Sequence, residues 1–150
     1  MLIILPPEIR RQLKAWLRRS GSKEVGGVIM AEQIEPGTFA IRELSLDEVT
    51  GSEAHFVRSP EFHTKALTAF FDRTGADYSR FNYLGEWHSH PSFPTKPSHQ
   101  DISSMLDLVM GERDISFAVL LIVRLRCYFY LDVTCCVFVR GQEPAWCVVQ

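Results

Sequence analysis

Neither a surplus of basic charge nor a long apolar run is present in this chain. Sixteen Lys and Arg stand against eighteen Asp and Glu, a formal net charge of −2, with the two signs interspersed. A balance so near neutrality provides no broad basic surface for nucleic acid or anionic membrane. The basic residues Arg10, Arg11, Lys14, Arg18 and Arg19 fall on the outer side of an expected helix, where a solvated face accounts for them. Met1 to Leu5 is too brief for a signal-peptide core, and Ile115 to Val123 is too short to span a bilayer, so a cytoplasmic protein is expected. Cysteine is scarce too. The four present (Cys127, Cys135, Cys136 and Cys147) lie in apolar, strand-like sequence with no C-x-x-C pair that could begin a zinc ribbon. They are expected to be reduced and buried.

What is present is a chain of 150 residues with 46% hydrophobic content, enough to bury a core without disulfides or a structural metal. One domain spanning residues 1–150 is expected, with any metal serving chemistry. Pro6-Pro7 followed by Ile9, Leu13, Trp16 and Leu17 predicts an amphipathic helix stopped at Gly21. Val25 to Met30 and Phe39 to Leu44 read as strands joined by a turn at Pro36-Gly37. A second helix follows Pro60, with Phe62, Ala66, Ala69 and Phe70 on one face as far as Gly75. Tyr83 to His88 is then a strand, and His90 to Pro97, with three prolines, a stiff loop.

A third helix is expected from Ser98, with Ile102, Met105, Leu106, Val109 and Met110 as its buried stripe and Gly111 as its stop. Ile115 to Val123 suits a strand covered on both faces, and Cys127 to Arg140 continues in β-branched and aromatic residues. The class is mixed α/β.

Chemistry concentrates in Gly85-Glu86-Trp87-His88-Ser89-His90-Pro91 and, past the prolines, Ser98-His99-Gln100-Asp101. Residues two apart on a strand share a face, so His88 and His90 present their imidazoles side by side while Trp87 points the other way, into the core. The stiff loop returns the chain so that Asp101, in the first turn of the next helix, can supply a carboxylate. Two histidines, one carboxylate and an open position describe a catalytic zinc, whereas structural zinc is closed by four protein ligands. Amide hydrolysis also requires a group that takes a proton from water and delivers it to the leaving amine. Glu24, immediately before a strand that opens Val25-Gly26-Gly27, is the candidate; the glycines let another backbone approach closely. Ser98 could donate a hydrogen bond to an oxyanion.

Glu24, His88-Ser89-His90-Pro91, Ser98 and Asp101 resemble the JAMM motif of MPN (JAB) domain zinc metalloproteases, in which a distant Glu precedes His-x-His, ten residues and Asp. Pro91 to Gln100 supplies those ten. Tyr83 to Trp87 and Glu24 to Gly27 are similar to bacterial members. The resemblance implies a single MPN domain with a mixed curved β-sheet flanked by helices, related to cytidine deaminases. It implies one zinc held by His88, His90 and Asp101, with water as fourth ligand and Glu24 as general acid and base. It further implies cleavage of the isopeptide or peptide bond after the C-terminal tail of a ubiquitin-like protein, with E1/E2-like proteins of the same system as further partners. Such a tail is expected to be extended and to add as a strand at a sheet edge. The long insertions that grip a particular ubiquitin linkage are missing, so linkage selectivity does not carry over.

Simpler readings exist for the same residues. Ser98-x-x-Asp101 before an apolar run is also a capping box, and that role is compatible with the metal. Glu24 alone is an acid at a loop end, and its assignment leans on the resemblance. His55, His63 and His99 have no partners that would make them ligands. The alternative function is a catalytically silent MPN scaffold, although the full ligand set and the glutamate are retained. A zinc deaminase would need His-x-Glu and Pro-Cys-x-x-Cys, and neither is present. A thiol hydrolase is disfavoured because no histidine follows Cys127.

Overall fold

The structure is a computed structural model and describes residues 1–47, 60–112 and 114–150. Its elements in chain order are β1 (Leu2–Ile4), α1 (Pro7–Ser20), β2 (Gly26–Glu35), β3 (Thr38–Leu44), α2 (Pro60–Arg73), β4 (Phe81–Ser89), α3 (His99–Gly111), β5 (Phe117–Arg126), β6 (Tyr130–Val139), β7 (Ala145–Trp146) and β8 (Val148–Val149). Among the described residues these form one mixed sheet in the order β7-β6-β5-β4-β2-β3-β1-β8. β7 pairs with β6 and β8 pairs with β1, and Cys147 alone separates them, so one short segment touches both ends of the sheet and curls it on itself.

The middle of the sheet follows from covered strands. β5 alternates its side chains between two cores. Val119, Leu121 and Val123 join Ile29, Leu84, Trp87 and Cys135 beneath Ile9, Leu13 and Leu17 of α1. Ala118, Leu120 and Ile122 join Cys136 and Phe138 beneath Met105, Leu108 and Val109 of α3. The continuous apolar run expected for a strand covered on both faces therefore has its partners. α2 covers Val28 and Met30 with Phe70 on the α3 side; Phe62 and His63 have side chains outside the described residues, as does all of His55. Trp87 is fully buried against α1, stacked on Trp16 at 5.6 Å, with its indole N–H donating to the Ser45 carbonyl at 2.8 Å.

Several expectations require correction. Met110 is 62% exposed and Leu108 lies in the core instead, packed with Met105 and Val109 against Ala118, Leu120 and Ile122 of β5. Gly111 is the last residue of α3 and does not cap it; the cap is Glu112, in an extended conformation. The final long strand begins at Tyr130, since Cys127 and Tyr128 adopt φ of 48° and 63° in the turn before it. Cys127 is consequently exposed and Cys147 half-buried; Cys135 and Cys136 are buried as expected. The strands β1, β7 and β8 had no signal in the sequence.

The close approach expected at Gly26-Gly27 is present. A Cβ at Gly26 would lie 2.4 Å from the Trp87 carbonyl oxygen, and one at Gly27 would lie 2.2 Å from that of Ser45. β2 can run against both neighbours only because these side chains are missing.

Candidate metal centre

β4 and β5 are parallel, and α3 is the crossover between them. A ligand site in an α/β sheet belongs at the carboxyl end of such a strand, where the chain leaves for its helix. His88 sits there, two residues before His90, and the backbone N–H of His90 still donates to Val123 of β5 at 2.9 Å. Extended geometry thus continues to His90 and sets both imidazoles on one face. Each residue is 7% exposed.

The proline loop is held at three points. His90 Nδ1 donates to the Pro94 carbonyl at 2.8 Å, Arg124 donates to the Phe93 carbonyl at 3.3 Å, and the Thr134 hydroxyl donates to the Thr95 carbonyl. A carbonyl can only accept, so in the neutral His90 ring Nδ1 carries the proton and Nε2 offers its lone pair inward. Orientation of a ligating imidazole by a carbonyl on its other nitrogen is the usual outer support of a metal site.

The chain then enters α3 through a capping box. The Ser98 hydroxyl accepts from the Asp101 N–H at 3.1 Å, and the Asp101 carboxylate accepts from the Ser98 N–H at 2.7 Å. This fixes Asp101 over the histidines. His88 Nε2 and His90 Nε2 stand 3.1 Å apart, and the Asp101 oxygens lie 3.5 Å from the first and 3.8 Å from the second. Burial opposes ionisation of Asp101, but the neighbouring His88 and the hydrogen bonds from Ser98 outweigh it and hold the carboxyl well below the usual carboxylate range. Among the described residues, His88, His90 and Asp101 form the group able to hold a metal ion. The fit can be tested on the triangle itself. Tetrahedral bonds of roughly 2.0–2.2 Å require ligand separations of about 3.4 Å, and the three edges bracket that value. The donor set fits a divalent ion of intermediate softness.

Glu24 enters through the sheet. Gly26 pairs with His88 in the antiparallel β2–β4 ladder, and Val25 exchanges hydrogen bonds with Ser89: its carbonyl accepts from the Ser89 N–H at 2.8 Å and its N–H donates to Ser89 Oγ at 3.0 Å. Glu24 stands one residue before this tie and is buried, 7% exposed. Ser89, fully buried between the two ligands, is the residue that sequence reasoning passed over. Its hydroxyl ties the segment after Glu24 to β4, and a serine alternating with two histidines gives no outward sign of that. His99 is exposed beside the site.

A tail that adds as a strand would do so elsewhere than at β4 itself. β4 is paired on one side by β2 and on the other by β5, so it offers no free edge among the described residues. A cavity of about 680 Å³ lies between α2 and α3, lined by Val28, Leu67, Phe71, Tyr83, Glu86 and Leu108 among others; His88, His90 and Asp101 do not line it.

A parallel strand–loop–helix unit whose strand end and helix start converge two imidazoles and a carboxylate defines an α/β domain with a candidate metal centre. The chain belongs to the family described as prokaryotic homologs of the JAB domain, which it matches over residues 6–139. That family includes zinc isopeptidases as well as inactive scaffolds. The fold is also similar to the solution structure of protein DSY2949 from Desulfitobacterium hafniense, with a TM-score of 0.70 at 17% identity over 100% of this chain and 93% of that one. At that identity the likeness speaks to the fold alone. No curated protein matches the sequence. No helix among the described residues is long and apolar enough to cross a membrane.

Proposed function

We propose that the protein is a zinc-dependent peptidase or isopeptidase that hydrolyses the bond after the C-terminal tail of a ubiquitin-like protein. What supports this reading is the convergence of His88, His90 and Asp101 together with a buried Glu24 beside the Val25–Ser89 tie to β4. A metal site needs no carboxylate in that place, whereas hydrolysis does. Zinc, when bound by the three ligands, supplies a Lewis acid that makes water a nucleophile near neutral pH and polarises the scissile carbonyl.

The chain's own residues supply the rest. Glu24 takes the proton from the attacking water and gives it to the leaving amine nitrogen as the C–N bond breaks. The Pro94 carbonyl keeps His90 in the tautomer whose Nε2 is a ligand. Ser98 is the donor for the developing oxyanion; in this structure its hydroxyl is turned to Asp101, so the role requires it to swing from that carboxylate towards the substrate. The extended tail of the substrate adds as a strand at a sheet edge in this reading. Proteins that activate and conjugate the same ubiquitin-like protein are the further partners of this reading.

The test is to offer the purified protein a panel of ubiquitin-like proteins fused or conjugated at their C-termini, beside Glu24→Gln. The parent is expected to cleave at least one. Glu24→Gln is expected to retain one zinc per chain and to lose about 10²–10⁴-fold in turnover. If Glu24→Gln cleaves as fast as the parent, the mechanism is wrong. A zinc-loaded parent that cleaves nothing in the panel would favour the scaffold.

A further inference from the structure

Away from the metal centre, the short segment that touches both ends of the sheet carries a pair of thiols. Cys136 pairs with Trp146 and Val137 with Ala145 in the antiparallel ladder, which sets Cys135 directly opposite Cys147. The Cys147 N–H donates to the Cys135 carbonyl at 2.9 Å. Opposed residues joined by such a bond have Cα atoms about 5.5 Å apart, inside the roughly 4.4–6.8 Å that a disulfide spans. Their side chains also share a face. The two thiols are in hydrogen-bond contact, and both pack on the core beneath α1. Cys136 points to the opposite core, and Cys127 is exposed in the β5–β6 turn.

We propose that Cys135 and Cys147 form a redox-active dithiol that closes to a disulfide and locks the seam at which the sheet meets itself. The seam is otherwise slight. β7 and β8 have two residues each, and Cys147 stands between them, so a bond from Cys147 to β6 fixes both pairings at once. The thiols differ in their readiness to react. The hydrogen bond from Cys135 pulls the Cys147 thiol down from its ordinary value, while the same contact together with burial pushes Cys135 up. Cys147 is also half-buried where Cys135 is buried, so Cys147 is the first to be attacked or to attack.

With a low-molecular-weight disulfide such as oxidised glutathione as the oxidant, the Cys147 thiolate attacks one of its sulfurs and one glutathione leaves as a thiolate. Cys135 then loses its proton and attacks Sγ of Cys147 in the mixed disulfide, releasing the second glutathione. Two electrons pass from the protein dithiol to the glutathione disulfide, which ends as two thiols.

The experiment equilibrates the whole protein in glutathione buffers from fully reduced to fully oxidised, denatures it, alkylates the free thiols and maps the peptides by mass. Two of the four cysteines are expected to escape alkylation at the oxidised end, joined as a Cys135–Cys147 peptide and released by dithiothreitol. The oxidised form is expected to unfold about 5–10 °C higher, as for a short closed loop in a chain of this size. Cys127→Ser should leave the transition unchanged, and Cys147→Ser, at a half-buried site, should keep its remaining thiols free throughout. Four alkylated cysteines in the fully oxidised buffer, or a dominant disulfide containing Cys127 or Cys136, would overturn the assignment. So would an unchanged loss of two thiols in Cys147→Ser.

Discussion

Replacing Gly26 by alanine is expected to perturb the candidate metal centre while leaving His88, His90 and Asp101 unsubstituted. A Cβ there would stand 2.4 Å from the Trp87 carbonyl oxygen and 2.9 Å from the His88 Cβ. Carbon and oxygen rest near 3.4 Å, so β2 must recede from β4 by about 1 Å, or His88 must move with its backbone. The first response overpacks a close strand pair and costs about 1–3 kcal/mol, which in a chain of this length lowers Tm by roughly 3–10 °C. Either response draws the segment carrying Glu24 away from β4 or shifts one imidazole relative to the other. Changes of this kind around a metal site typically weaken metal binding about 10–100-fold. Competition against a chromogenic zinc chelator reads the affinity, and calorimetry reads Tm. Gly111→Ala is the matched control, because a Cβ at that helical position meets nothing within 4 Å and should be neutral or slightly stabilising. If Gly26→Ala binds zinc as the parent does and melts within about 1 °C of it, the close approach is not what shapes the site.

Ser98→Ala separates the two roles of that hydroxyl: loss of the cap costs about 1 kcal/mol in a denaturant titration, whereas loss of an oxyanion donor lowers kcat about 10²–10³-fold against a cleaved substrate. A drop in stability alone would leave Ser98 as a cap. Glu32 is buried, and although burial opposes its ionisation, the guanidinium groups of Arg42 and Arg80 hold its carboxyl below the ordinary value. A carboxyl whose folded pKa is depressed stabilises the fold above its unfolded pKa of about 4.3 and loses that contribution as pH falls through the folded value. Urea midpoints between pH 7 and pH 3 should therefore fall less steeply in Glu32→Gln than in the parent, and parallel slopes would refute the assignment. Chelation of the metal should leave the far-ultraviolet circular dichroism unchanged, because the three hydrophobic clusters lie within and beneath the sheet while the ligands sit at its end. Unfolding on chelation would make the metal structural.

Much of this architecture was legible in residue order. The apolar spacing of Ile9, Leu13 and Leu17 gave a helix whose buried residues are those three. The unbroken run before Arg124 gave a strand that feeds two cores. His88, His90 and Asp101 could be placed from strand alternation and a proline-stiffened return, both local in sequence. Local pattern failed where a distant partner decided. β1, β7 and β8 have two or three residues each, too few to show a period, and exist because other strands offer them hydrogen bonds. Leu108 is covered and Met110 is not because the sheet against which α3 packs, not helical spacing alone, selects the covered side.

The sequence by itself determined that His88, His90 and Asp101, a group able to hold a metal ion, come together, since two histidines on one strand and an aspartate at the next helix start are joined by a chain too short and stiff to separate them. Only the tertiary structure decided that the segment carrying Glu24 runs beside β4. The tie between Val25 and Ser89 spans 64 positions, and no local rule fixes an antiparallel register across that distance. It likewise decided that Cys135 and Cys147 meet, because their contact depends on one segment reaching both edges of a curled sheet. Side-chain alternation and stiffness are properties of neighbouring residues; register and closure belong to the whole sheet.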